Sequence, residues 1–175
     1  MTGVCGVVLA GGRSSRMGRD KRAVILPGGL SMEQNALRIL NLSNCGGVFT
    51  SGPGGIADIH SGRGPMGGIE ASLYALNCNC VAFLPCDMPY VMPYQVDRVI
   101  SCFLRSPDLP AVAMAPFMEP LFSVVPVSWG EMISNAVAQR HLKVGKFWQD
   151  CGFTPVRIPE GYLLKDADHF WEVPA

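Results

Sequence analysis

The sequence has no long apolar run, little charge and no excess of basic residues. None of its hydrophobic stretches approaches the ~20 residues of a membrane-spanning helix, and its N-terminus lacks a basic segment followed by an apolar one. We therefore expect no membrane segment, no secretory signal and a cytoplasmic location. Lysine plus arginine and aspartate plus glutamate number 14 each among 175 residues, and this balance argues against a nucleic-acid binder.

Paired metal-ligating cysteines are also missing from the sequence. The seven cysteines are scattered, only one residue separates Cys78 from Cys80, and no second pair or histidine stands at zinc-ligand spacing. We favour buried or incidental thiols in a reducing compartment over a metal or redox role. Apolar residues, in contrast, make up 49% of the chain, which is enough for the core of a single domain spanning residues 1–175.

Short apolar segments alternate with helical patterns along the chain. Strands are predicted at residues 5–10, 48–50, 81–84, 111–117, 121–127 and 153–158. Helices are predicted after a capping box at Ser31, from Ile69, from Pro93, after Ser128 and from Val144. This alternation indicates a three-layer, Rossmann-like α/β domain with a mostly parallel twisted sheet, to which the 111–127 pair adds an antiparallel strand.

Local signals predict further details of these elements. Residues 128–131 have the spacing of a second capping box, and residues 51–68 are rich in glycine and indicate a long loop. A tight turn is predicted at residues 118–120. Leu104 is expected on the apolar face of the helix that begins at Pro93. The basic run 140–143 is expected on a solvated helix face, with contact to an anionic phosphate as the alternative.

The most informative stretch joins the first predicted strand to a polar loop. The run Leu9-Ala10-Gly11-Gly12 ends the strand in paired glycines, and Arg16 and Lys21 place positive charge in the loop. Glycine lets the backbone turn sharply and approach a ligand closely, because no Cβ intervenes. Cations and backbone N–H groups in such a loop favour a polyphosphate. The loop is not a P-loop, since five residues separate Gly12 from Gly18.

Two further motifs indicate a ligand site. Residues 62–67 match the GxGxxG pattern of dinucleotide-binding loops, but no strand directly precedes them, so we favour a glycine-rich loop that passes close to a ligand. Asp87 lies between Pro85 and Pro89 just after a predicted strand, at the sheet edge where α/β proteins bind ligands. Its carboxylate suits Mg²⁺ shared with substrate phosphates, and the alternative is a turn residue that caps the next helix.

These motifs, in this order, resemble the molybdenum cofactor guanylyltransferases. The matching segments are Leu9–Lys21, Gly64–Ile69 and Pro85–Pro89, supported by Glu119–Leu121 and the helix at 144–152. The resemblance implies a nucleotidyltransferase domain that transfers GMP from GTP to the phosphate of molybdopterin, releases pyrophosphate and uses Mg²⁺. It implies GTP and molybdopterin as ligands, and other cofactor-biosynthesis or acceptor proteins as partners.

The same resemblance implies a role for individual residues. The segment Leu9–Gly12 would pack on the guanine and ribose, and Arg16 and Lys21 would neutralise the phosphates during catalysis. Asp87 would contact the nucleotide, act in catalysis and hold Mg²⁺. Asp58 would accept hydrogen bonds from the guanine N1–H and amino group, a donor pair that adenine lacks.

The C-terminal segment departs from the family pattern. The family carries Asn-x-Asn-Thr-Pro-Glu-Asp-Leu, whose asparagine assists the metal site, whereas this chain has Leu163–Phe170 without those asparagines. Either Asp166 supplies an oxygen ligand or Lys165 occupies the site. Two alternatives to guanylyl transfer therefore stay open: a nucleotidyltransferase that uses CTP or another phosphate acceptor, and a nucleotide-binding homologue that does not catalyse.

Overall fold

The computed structural model of the protein describes residues 3–10 and 21–159. The strands are β1 (Val4–Leu9), β2 (Gly47–Ser51), β3 (Cys80–Pro85), β4 (Ala111–Met114), β5 (Met118–Pro126) and β6 (Thr154–Arg157). The helices are α1 (Met32–Asn41), α2 (Gly64–Ala75), α3 (Pro93–Arg105), α4 (Gly130–Ala138) and α5 (Val144–Cys151). None of these described helices combines the length and the apolar character needed to cross a membrane.

The strands form one sheet in the order β2-β1-β3-β5-β4-β6. β1 pairs in parallel with β2 and β3, and β4 pairs in parallel with β6, whereas β5 is antiparallel to both of its neighbours. This confirms the prediction of a mostly parallel sheet with one antiparallel strand. The carboxyl ends of five strands therefore meet at one edge, together with the start of β5.

Helices cover both faces of the sheet and make three layers. Alternate strand residues face opposite sides, so Val8 belongs to one core and Val7 to the other. Buried side chains of α1 and α3 complete the first core, and those of α2, α4 and α5 complete the second. The three-layer α/β fold expected from the sequence is confirmed.

Several helix boundaries follow directly from local chemistry. At Ser31 the side-chain hydroxyl accepts from the Gln34 N–H at 3.1 Å, and the Ser31 N–H donates to Gln34 Oε1 at 2.9 Å, so the predicted capping box is confirmed. Pro93 opens α3, where a missing N–H costs no helical hydrogen bond. Gly152 follows α5 with φ +92°, a conformation that favours glycine.

The helix predicted from Ile69 begins earlier, at Gly64. The glycines that indicated a loop instead let α2 lie close to the sheet. A Cβ on Gly68 would meet the Ser51 hydroxyl and lie 3.5 Å from Leu9 Cδ2. The predicted loop is therefore shortened, and its last residues form the first turn of a helix that lies against the ends of β1 and β2.

The prediction of a hairpin turn at residues 118–120 was also wrong. The turn lies at 115–117, where the Ala115 N–H donates to the Phe117 carbonyl at 2.7 Å, and Met114 pairs with Met118. Pro120 lies within β5, where the pairing register with β4 is irregular after Val112, so that a missing N–H is tolerated.

Three local predictions on the helices were wrong as well. Residues 127–129 form a 3-10 turn before α4, and Trp129 precedes α4 without a side-chain cap, in place of the second capping box. Leu104 is 59% exposed although its neighbours Val99, Ile100 and Phe103 on α3 are buried. Residues 140–143 lie between α4 and α5, because Arg140 takes φ +61° and ends the helical path.

Trp148 links α5 to the start of β5. Its side chain is fully buried, and its indole N–H donates to the Pro120 carbonyl at 2.9 Å. The ring lies 5.4 Å from Phe147 and 6.1 Å from Trp129, centroid to centroid, in tilted arrangements. This hydrogen bond matters because Pro120 is at the sheet edge where the strands' carboxyl ends meet.

Replacing Trp148 with Phe should lower the free energy of unfolding by about 1–3 kcal/mol, because the Pro120 carbonyl loses its buried donor. Urea denaturation followed by circular dichroism measures the change. Leu104→Ala is the control, expected within about 0.5 kcal/mol of wild type because Leu104 is exposed. Equal decreases in the free energy of unfolding in the two variants would contradict this account of the contact between α5 and β5.

Candidate nucleotide site

The end of β1 is hydrogen-bonded to the strands on both sides. The Ala10 N–H donates to the Ser51 carbonyl at 3.2 Å, and the Cys86 N–H donates to the Leu9 carbonyl at 3.3 Å. These bonds continue the sheet beyond its regular pairing. Leu9 and Ala10 thus lie between the segment after β2 and the segment after β3, with both side chains buried.

Asp87 is held at this edge by its neighbours in the chain. Cys86 and Met88 on either side are buried in the core that α1 and α3 cover, while Asp87 is half-buried. Asn35 of α1 donates its side-chain N–H to the Pro89 carbonyl at 2.9 Å, which fixes the segment against α1. Asp87 does not cap α3, since Met92 occupies the position before that helix.

Charged groups surround Cys86 beside Asp87. Burial raises the pKa of the Cys86 thiol to about 12, the Asp87 carboxylate adds to this rise, and the Arg22 guanidinium opposes it. Arg22 also donates a long hydrogen bond of 3.5 Å to the Pro53 carbonyl in the loop after β2. Arg22 is therefore a cation at this edge that the sequence analysis did not single out, because it follows the glycine-rich motif instead of lying within it.

Asp58 lies beside the start of α2. After β2 the chain turns back so that the Ile56 N–H donates to the Thr50 carbonyl at 2.8 Å, and Asp58 follows this turn. A Cβ on Gly67 would lie 3.6 Å from Asp58 Oδ2 and 2.9 Å from Arg63 Cβ. The close approach of Arg63 therefore requires glycine at this position of the GxGxxG match, and the Asp58 carboxylate lies at van der Waals distance from it. Burial raises the pKa of Asp58, and the Glu70 carboxylate raises it further.

The structure brings together part of the predicted site. Leu9, Ala10 and Asp87 share one edge through direct backbone contacts, and Asp58 lies beside the helix that packs against Leu9. Gly11, Gly12 and Arg16 lie outside the described residues, as do Lys165 and Asp166. The backbone of Lys21 opens a single 3-10 turn, Lys21–Ala23, which packs against α1.

The same edge continues past β5 to an exposed aromatic ring and a basic loop. Phe117, in the turn of the β4–β5 hairpin, is 80% exposed. The start of α5 follows closely, since a Cβ on Gly145 would lie 3.6 Å from Pro120. The loop before α5 carries Arg140, His141 and Lys143, which help to line a cavity of about 460 Å³.

The donor set at Asp87 can be compared with what Mg²⁺ requires. Mg²⁺ prefers six oxygens and is commonly held by one or two carboxylates, with waters and substrate phosphates as the remaining ligands. Among residues 3–10 and 21–159, no group of three or more His, Cys, Asp or Glu side chains is arranged to hold a metal. A single carboxylate such as Asp87 fits Mg²⁺ when phosphates complete the coordination.

Comparison with known proteins places this arrangement in a family. A family model for the MobA-like NTP transferase domain matches residues 6–145. The chain belongs to that family. The match takes in β1, the Asp58 loop, the glycine-rich start of α2, the Asp87 segment and the basic loop before α5.

Two curated relatives of the chain are named molybdenum cofactor guanylyltransferase. The molybdenum cofactor guanylyltransferase of Xanthomonas euvesicatoria is 40% identical over 101 residues, which are 55% of this chain and 53% of that protein. The protein of that name from Sinorhizobium fredii is 32% identical over 137 residues, 70% of this chain and 63% of its own length. The chain thus spans between about half and two thirds of these relatives.

Solved structures share the fold at lower identity. A protein from Aquifex aeolicus superposes with a TM-score of 0.75 at 20% identity, over 94% of this chain and 92% of its own. Molybdopterin-guanine dinucleotide biosynthesis protein A from Archaeoglobus fulgidus superposes with a TM-score of 0.67 at 19% identity, over 95% and 87%. These likenesses confirm the Rossmann-like nucleotidyltransferase fold expected from the sequence.

The buried cysteines Cys80, at the start of β3, and Cys86, just after β3, should be chemically inert in the folded protein. All seven are free thiols, and burial raises the pKa of Cys80 and Cys86 to about 12, so both stay protonated at neutral pH. At pH 8, iodoacetamide followed by peptide mass spectrometry should label the exposed Cys151 first and should label Cys86 only after denaturation. Labelling of Cys86 as fast as Cys151 in the folded protein would contradict this prediction.

Proposed function

We propose that this chain transfers GMP from GTP to the phosphate of molybdopterin, with Mg²⁺, and releases pyrophosphate. The observation that carries the proposal is the convergence of Leu9, Ala10 and Asp87 at one sheet edge, with Asp58 beside the helix that packs against Leu9. Membership of the MobA-like family and the shared name of the curated relatives support it.

The reaction is an in-line displacement at the α-phosphorus of GTP. An oxygen of the acceptor phosphate forms a bond to that phosphorus, and the bond to the bridging oxygen of the leaving pyrophosphate breaks. Positioning and charge neutralisation provide most of the catalysis in such a step. In this proposal Arg16 and Lys21 neutralise the phosphates, and Arg22 adds a cation at the same edge.

Asp87 would hold Mg²⁺, which when bound offsets the charge of the phosphates that share it. The rigid attachment of the Asp87 segment to Leu9 and α1 supports this role, because a metal-binding carboxylate acts best from a fixed position. The segment Leu9–Gly12 would pack against the guanine and ribose. Asp58 would accept hydrogen bonds from the guanine N1–H and amino group.

The acceptor would bind on the β5 side of Asp87. Phe117 offers an exposed ring for stacking on a flat heterocycle, and the basic loop 140–143 offers cations for its phosphate. Their position at the same edge as Asp87 supports this assignment, because the acceptor must reach the α-phosphorus.

Pyrophosphate release with Mg²⁺ and molybdopterin, measured separately for GTP and CTP, separates this proposal from its alternatives. Release from GTP supports guanylyl transfer, and faster release from CTP favours a cytidylyltransferase. Tight GTP binding with no release from either nucleotide favours a homologue that does not catalyse.

Replacing Asp87 with Asn should slow pyrophosphate release by ~10²-fold or more, because the amide loses the negative charge that holds the metal. The control is Asp108→Asn, which removes an exposed carboxylate just before β4, at the opposite edge of the sheet. Near-wild-type turnover in the Asp87 variant, with its fold intact by circular dichroism, would contradict the proposed metal role.

Replacing Phe117 with Ala should raise the KM for molybdopterin by about three- to tenfold, because a stacking surface is lost, and leave the Kd for GTP unchanged. Phe117→Tyr, which keeps the ring, should restore the wild-type KM. A KM that is the same in the Ala variant and in wild type would rule out acceptor stacking on this turn.

A further inference from the structure

Glu70 of α2 is an acid at a buried position where packing alone would favour an apolar side chain. Its side chain is fully buried, and neither carboxylate oxygen has a hydrogen-bond donor in the described part of the chain. A buried carboxylate without donors is strongly unfavourable, and an apolar side chain of similar size would pack there at lower free energy. Its neighbours Ile69 and Leu73 fill the core in the expected way.

Glu70 lies close enough to influence Asp58, the residue proposed to recognise the guanine base. Glu70 lies one helical turn after Gly67, where a Cβ would lie 3.6 Å from Asp58 Oδ2. Arg63, which precedes α2 on the same side, has a buried Nε atom that lacks a partner and does not donate to Glu70. Among the described residues, no cation is hydrogen-bonded to Glu70. Asp58, in contrast, is exposed.

We propose that Glu70 is a positioning residue for base selection, acting through Asp58. The Glu70 carboxylate, which has no hydrogen-bond donor among the described residues, makes the Asp58 carboxylate a stronger acceptor for a ligand edge that presents two adjacent N–H donors, as guanine does. This inference rests on the proposed function, in which Asp58 accepts from the guanine N1–H and amino group. Glu70 itself need not touch the nucleotide.

The electrostatics of Asp58 support this role. Burial and the nearby Glu70 charge disfavour the ionised form of Asp58, so its pKa is raised. His60 and Arg63 follow Asp58 along the chain. A carboxylate that is less stable when ionised gains more from a pair of donors than one that water already solvates. A base without that donor pair gives no such gain, so the arrangement favours guanine over other bases.

Three nucleotides and two variants test the proposal. Binding of GTP, ITP and ATP is measured by calorimetry, since inosine lacks the amino group of guanine and adenine lacks both donors. In Glu70→Gln and Glu70→Met the preference for GTP over ITP should fall by about fivefold. Glu131→Gln, which removes an exposed charge at the other end of the α2–α4 contact, should keep the wild-type preference.

The pH dependence of GTP binding gives a second readout. Wild-type affinity should fall as pH drops through the raised pKa of Asp58, because the protonated carboxyl accepts poorly. In Glu70→Gln the midpoint of this fall should move to lower pH, since one cause of the raised pKa is gone. A variant that is merely damaged would lose affinity at every pH without moving the midpoint.

Thermal stability separates the proposed role from a structural one. Glu70→Met should have a higher Tm than wild type, because the substitution removes a buried charge that lacks donors. Higher stability together with reduced selectivity for GTP supports the proposal. A lower Tm together with equal losses for GTP, ITP and ATP would assign Glu70 to the fold and overturn it.

Failure of this inference is distinguishable from failure of the proposed function. If wild type prefers GTP over ITP and both Glu70 variants keep that preference, the role of Glu70 is overturned and the proposed function stands. If wild type binds GTP no better than ITP, recognition of the guanine base by Asp58 is overturned. The proposed role of Glu70 is then overturned as well.

Discussion

The hydrogen bonds at the end of β1 are the constraint on which the site depends. Ala10 is bonded to Ser51 and Leu9 to Cys86, so three chain segments are fixed relative to one another where the parallel strands end. A parallel sheet brings such ends to one edge, and these bonds, together with the bond from Asn35 to the Pro89 carbonyl, hold the segments after the strands in place. The position of Asp87 is therefore fixed although Asp87 lies in no helix or strand.

The antiparallel strand β5 determines which residues lie beside Asp87 at this edge of the sheet. Because β5 runs against β3, its first residues reach the edge where β3 ends, and the hairpin turn carries Phe117 there. Trp148 fixes the same strand from α5 through the Pro120 carbonyl. One reversed strand therefore brings an aromatic ring and the basic loop before α5 to the edge where the parallel strands end.

The sequence predicted the elements whose signals are local. The capping box at Ser31 and the buried strands depend on neighbouring residues and were confirmed. The start of α2 was missed because its glycines are explained by contact with Leu9 and Ser51, which are distant in sequence. Asp87 could be predicted from its position after a strand. Arg22 and Glu70 could not, because a cation outside a motif and a buried acid among apolar residues carry no sequence signal.

Glu70 also shows that the burial of a side chain depends more on its position in the fold than on its residue type. An acid on an amphipathic helix normally faces water, whereas every residue of α2 from Met66 to Leu73 is buried, so that Glu70 has no exposed face to occupy. Close packing of α2, made possible by Gly67 and Gly68, is therefore what places a charge in the protein interior. The two glycines that bring α2 against the strand ends therefore also set the position of Glu70 near Asp58, where its charge contributes to the raised pKa of Asp58.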